Sequence, residues 1–136
     1  MSGRPSVLFV CVRNGGKSAM AAGLMSRRAG GTIQVESAGT RPGTAVNQQS
    51  VESLAELGID ISRHTPRAVT DEMVLAADVV VLLGREAHVD EVRGTRFETW
   101  DTDEPSERGI DGLERMRLVR DDIAGKVDTL AAQLKP

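Results

Sequence analysis

Aromatic side chains are almost missing from this 136-residue chain, which has two phenylalanines, one tryptophan and no tyrosine. Proteins that grip single-stranded nucleic acid stack bases on such rings, so the composition argues against that mode of binding. There is no basic run either, and the net charge is -3. The electrostatic footprint of a nucleic-acid-binding protein is therefore absent. Cysteine occurs once, which rules out an internal disulfide. The apolar runs are far shorter than the roughly 20 residues that cross a bilayer. The first apolar run is a few residues long and carries no signal-peptide pattern. A cytoplasmic protein with a reduced thiol is the expectation, with no membrane and no metal centre.

What is present centres on Val7-Leu8-Phe9-Val10-Cys11-Val12-Arg13-Asn14-Gly15-Gly16-Lys17-Ser18. The apolar start, rich in strand formers, reads as a buried β-strand. Ala19-Met20-Ala21-Ala22 follows and reads as helix. The lone thiol thus sits in a tight loop between a strand end and a helix start. A helix N-terminus offers unpaired N–H groups and partial positive charge. Gly15 and Gly16 let the backbone curl so that successive N–H groups converge. Such a loop cradles a tetrahedral oxyanion such as phosphate or arsenate. The same field favours Cys11 as a thiolate nucleophile.

The rest of the chain alternates strand and helix. Strand one covers about Ser6 to Val10, and helix one about Lys17 to Arg28, with Met20, Ala21, Leu24 and Met25 on one face. Gly30-Gly31 stops that helix. Thr32 to Ser37 alternates as strand two. Asn47 is placed to cap a helix with Val51, Leu54 and Leu57 inward and Gly58 as its stop. Thr70 caps a short helix containing Met73, Val74 and Leu75. Val79 to Leu83 is apolar throughout and reads as a central strand buried on both faces. A polar loop from Gly84 to Thr95 leads to an edge strand, Arg96 to Trp100. An acidic loop, Asp101 to Asp111, precedes a last helix from Gly112 to Leu134.

This order predicts an α/β fold: one domain, residues 1–136, with a four-stranded parallel sheet and helices on both faces. Ligands of such sheets bind outside the carboxyl ends of the strands. Cys11, Ser37, Gly84 and the Asp101-to-Pro105 loop should therefore gather on one rim.

Cysteine, five residues, a basic residue and serine between strand one and helix one resembles the low-molecular-weight protein tyrosine phosphatase superfamily, which includes thiol-dependent arsenate reductases. The similarity covers nearly the whole chain: Ser37-Ala38-Gly39-Thr40, Asn47, Gly58-Ile59-Asp60-Ile61-Ser62, His64, Trp100 to Pro105 and Arg117-Leu118-Val119-Arg120-Asp121 all fit. The resemblance implies the phosphatase I-like fold. It implies an oxyanion loop formed by Val12, Arg13, Asn14, Gly15, Gly16, Lys17 and Ser18, with Cys11, Lys17, Ser18 and Glu104 as catalytic residues. Asn14 would fix the loop's shape through its amide. Ser37 would join Ser18 in holding the thiolate. The general acid falls on Glu104 beside Pro105, with Asp103 and Asp101 as competitors.

Lys17 stands where most members have arginine, and lysine after Gly-Gly resembles the arsenate–mycothiol transferases. Disulfide-resolving relatives carry a cysteine after strand three, where this chain has Gly84. The resemblance therefore implies arsenate as substrate, no bound cofactor, mycothiol as thiol cosubstrate and a mycoredoxin-like reductase as partner. Two alternatives stand beside it. One is a protein tyrosine phosphatase using the same Cys11. The other is a P-loop-like nucleotide- or oxyanion-binding module without turnover, since only Cys11 departs from that motif's first glycine. Arg13 occupies a position that is usually glycine. Either it is strained there, or it supplies the guanidinium that Lys17 lacks.

Overall fold

The computed structural model describes residues 3–134. Strands β1 (Ser6–Cys11), β2 (Gln34–Gly39), β3 (Val79–Leu83) and β4 (Arg96–Trp100) form one sheet in the order β2-β1-β3-β4. Every pairing is parallel. Helices α1 (Lys17–Ala29), α2 (Gln48–Ala55), α3 (Asp71–Ala76) and α4 (Gly112–Gln133) complete the expected architecture.

The alternation of side chains along β1 sorts the core into two layers. Val7, Phe9 and Cys11 pack with Met20, Leu24 and Met25 of α1 and with Val119, Ile123 and Val127 of α4. Leu8 and Val10 face the other way, onto Val74 of α3 and Ala87. Helices do cover both faces, but unequally. Among the described residues α3 is the one helix of the second layer, and the segment joining β3 to β4 completes the cover with Ala87, Val89 and Val92. Phe9 and Trp100 meet at 5.7 Å in a tilted pair beneath the rim.

The helix boundaries follow local chemistry. Gly30 takes the left-handed conformation (φ 57°) that stops α1. Asn47 Oδ1 accepts from Ser50 N at 3.0 Å and caps α2, and Thr70 Oγ1 accepts from Met73 N at 3.2 Å and caps α3. Three expectations are corrected. β2 begins at Gln34 and runs to Gly39, two residues later than the alternation suggested, because it pairs with β1 up to Cys11. α2 ends at Ala55, so Leu57 is 37% exposed and not inward. The acidic loop contains a short 3-10 turn, Pro105–Arg108.

Candidate active site

Cys11 ends β1, the point where the β1 ladder stops and the chain turns toward α1. The loop between them is shaped by residues 40–47. Cys11 O, Val12 O, Arg13 O and Gly15 O accept hydrogen bonds from the N–H groups of Thr40, Arg41, Gly43 and Asn47. Asn14 O accepts from His64 Nε2 at 2.8 Å. The loop's carbonyls are thus drawn outward. A trans peptide sets each N–H opposite the preceding carbonyl, so the N–H groups are left on the inner side. Those of Arg13, Gly15, Gly16, Lys17 and Ser18 have no protein acceptor among the described residues. Converging free N–H groups at a helix N-terminus form an anion site.

Two close approaches make this packing possible. A Cβ on Gly39 would lie 2.6 Å from Val12 O, and one on Gly15 would lie 2.9 Å from Ala45 O. The positive φ of the loop falls on Asn14 (φ 56°), a residue type that tolerates it. Arg13 is not in that region, so the strain considered for it does not arise. Its side chain is exposed at the mouth.

Asn14 is the hub of the loop and is fully buried. Its Oδ1 accepts from Arg67 N (3.1 Å) and from His64 Nε2 (3.1 Å). Its Nδ2 donates to Ser18 Oγ at 2.8 Å. Ser18 Oγ lies 2.9 Å from Cys11 Sγ. With one lone pair committed to Asn14, the Ser18 hydroxyl is free to donate to sulfur. Asn14 N donates to the same sulfur at 3.2 Å. Two donors are thereby aimed at one sulfur. His64 Nε2 is thus engaged by Asn14, through both its backbone and its side-chain oxygen.

Three acids surround the mouth and their partners separate them. Asp101 is engaged by Arg85 through two hydrogen bonds (3.0 and 2.7 Å). Asp103 is turned to Arg108 (2.9 and 3.1 Å), and those bonds hold its carboxyl below the usual range. Glu104 alone reaches the loop. Its Oε1 accepts from Lys17 Nζ at 2.5 Å, and its Oε2 lies 3.7 Å from Arg115. Cys11, Lys17 and Glu104 line one cleft of about 420 Å³, with Gly84, Arg85 and Asp101 on its far wall.

Most of the expected site residues are therefore brought together, and two are not. Asp103 supports the acidic loop by pairing with Arg108. Ser37 sits opposite Phe9 in the middle of β2, two residues below the rim, and among the described residues no hydrogen bond joins its hydroxyl to Cys11. The shift of β2 toward Gly39 explains that misplacement. Ser18 is fully buried against sulfur and Asn14, which removes it from the metal-facing role a nucleotide-binding P-loop would require. Arg115 was missed by the sequence reading. It lies on α4, far along the chain from the loop, and no motif marks it.

The chain resembles known proteins along its full length. The sequence profile described as "Low molecular weight phosphotyrosine protein phosphatase" matches residues 6–136. A Staphylococcus epidermidis protein named arsenate reductase 1 is 32% identical over 131 residues, covering 94% of this chain and 96% of the relative. A glutaredoxin arsenate reductase of Synechocystis is 31% identical, covering 94% and 97%. Among solved structures, a thioredoxin-dependent arsenate reductase of Corynebacterium glutamicum superposes with a TM-score of 0.83 at 30% identity, covering 98% of this chain and 63% of that one. An arsenate reductase described in its phosphate-binding state gives 0.81 at 30% identity, covering 96% and 99%. The parallel sheet, the thiol at the end of β1 and the loop that carries it have the same meaning as these matches: the chain belongs to the low-molecular-weight phosphotyrosine protein phosphatase family.

Proposed function

We propose that the protein is an arsenate reductase whose Cys11 attacks arsenate and whose cycle is completed by an external small thiol, mycothiol. The observation that carries the reading is the lone Cys11. Its sulfur faces two hydrogen-bond donors, at 2.9 and 3.2 Å, beneath a loop of free N–H groups. Relatives named arsenate reductases support the substrate. A 30%-identical reductase is described in a phosphate-binding state, which supports binding of a tetrahedral oxyanion.

The chemistry follows from the placement. Arsenate binds to the loop N–H groups with Lys17 balancing its charge. The Cys11 thiolate attacks arsenic and a sulfur–arsenic bond forms. One arsenate oxygen takes protons, one of them through Glu104, and leaves as water. The mycothiol sulfur then attacks arsenic and loses its proton. The bond to Cys11 breaks, which restores the thiolate and leaves a mycothiol–arsenic(V) adduct. A mycoredoxin-like thiol attacks the mycothiol sulfur and forms a disulfide. The departing arsenic keeps the electron pair and is released as arsenite. With a single cysteine in the chain, the oxidation equivalents must leave on external thiols. A reducing, cytoplasmic setting suits such a cycle.

The test is arsenite production by the purified protein with three reductant systems: mycothiol plus mycoredoxin, thioredoxin, and glutathione plus glutaredoxin. p-Nitrophenyl phosphate is assayed in parallel. Turnover with the mycothiol system above the other two is expected. A preference for thioredoxin, the donor of the Corynebacterium neighbour, would overturn the mycothiol assignment. Phosphate release without arsenate reduction would make the protein a phosphatase.

A further inference from the structure

Lys17 has a second side. Behind it lies another cleft, of about 400 Å³, that shares Arg13, Gly16 and Lys17 with the first and extends to Asn47, Arg115 and Met116. Three cations, Arg13, Lys17 and Arg115, line it, and no acidic side chain does. Glu104, which offsets Lys17 in the first cleft, does not line this one.

Arg115 is the unusual member. Its side chain is 30% exposed and its ionic neighbour, Glu104, is 3.7 Å away, beyond direct hydrogen-bond reach. Its Nε is buried and has no hydrogen-bond partner among the described residues. That Nε is closed to solvent, so the exposed end of the guanidinium is what a bound molecule can meet. The Arg13 guanidinium also makes no hydrogen bond or ion pair among the described residues. The one carbonyl-bearing side chain of the cleft, Asn47, already spends its oxygen on the Ser50 amide and hydroxyl. The walls therefore offer cationic donors and no carboxylate, and Met116, Val119 and Ala45 supply an apolar strip beside them.

We propose that this second cleft seats the oxygen-rich end of the small thiol, with Arg115 as the residue that selects for it. A thiol whose headgroup carries hydroxyl, carbonyl or carboxylate oxygens satisfies the Arg115 and Arg13 donors. Its sulfur then enters over Lys17 toward the arsenic held at Cys11. This rests on the reading of the protein as a thiol-dependent arsenate reductase.

Two measurements on Arg115→Gln and Arg115→Lys test it. In the first, KM for the thiol is compared between mycothiol and 2-mercaptoethanol, which has almost no headgroup. Loss of one charge-assisted hydrogen bond predicts a rise in KM for mycothiol of about tenfold in Arg115→Gln. The rise with 2-mercaptoethanol should be several-fold smaller, with partial rescue in Arg115→Lys. An equal loss with both thiols would overturn the proposal, because Arg115 would then act through Glu104 or the oxyanion. The second measurement needs no turnover and so stands apart from the reductase reading. S-methyl mycothiol and S-methyl glutathione are titrated against protein labelled at methionine methyls. Saturable displacement of the Met116 signal, weakened in Arg115→Gln, is expected, and the tighter ligand tells polyol from carboxylate recognition. No displacement by either ligand refutes the site.

Discussion

At Ser18 a single hydroxyl is asked to do two things, accept from Asn14 and donate to Cys11. Ser18→Ala removes one of the two donors at sulfur and strands the Asn14 amide. A hydrogen bond to a charged acceptor contributes about 1.5–3 kcal/mol, so alkylation of Cys11 by iodoacetamide at neutral pH should slow about tenfold or more. An unchanged rate would show that the loop N–H groups suffice. The residues that make this network were legible where the motif named them. Cys11, Asn14, Lys17 and Ser18 stand within eight positions of one another, so their proximity is local. The family resemblance places the acid on Glu104, but the residues by themselves do not separate it from Asp101 and Asp103. That separation depends on Arg85 and Arg108 taking the other two carboxylates, and those pairings are tertiary. Arg115 was invisible for the same reason, being one arginine among several on an amphipathic helix.

Elements are tied to each other by chemistry outside the site. α2 and α4 are joined at Glu56, which takes Arg117 (2.6 Å) and Arg120 (2.8 Å) together. Arg120 also donates to Ser53 O at 2.8 Å, so one guanidinium clamps the end of α2. These hydrogen bonds, from Arg117 foremost and then Arg120, lower the Glu56 carboxyl from 4.5 to about 2. A group depressed on folding stabilises the native state above its unfolded value and loses that contribution as pH falls toward its folded value. Urea unfolding should therefore show a stability gap between wild type and Glu56→Gln that is constant above pH 5. The gap should close between pH 4.5 and about pH 2. A gap independent of pH over that range would mean the pair does not form. At this scale the sequence is legible where periodicity is long or apolar, as in β3 and α4. It is less legible in β2, whose polar Gln34-Val35-Glu36-Ser37 leaves register to its partner strand. Pairing of Cys11 with Gly39 sets that register, and no pattern within β2 announces it.

On the scale of the whole molecule, the parallel sheet explains how one small chain gathers the candidate site. All four strands end on one rim, so the Cys11 loop, residues 40–47, Gly84 and the Asp101-to-Pro105 segment meet there although they are far apart in sequence. Gly39 permits the crossing, because its missing side chain lets Val12 O approach. Among the described residues no helix is long and apolar enough to cross a membrane, and no group of three or more His, Cys, Asp or Glu could hold a metal. The account rests on one sulfur. Arsenite should be counted after mixing arsenate with wild type and with Cys11→Ser, each with and without mycothiol plus a mycoredoxin. Arsenite is expected only from wild type with both thiols present, with two thiol equivalents oxidised per arsenite formed. Arsenite from wild type without thiol, or from Cys11→Ser at a comparable rate, would contradict the account.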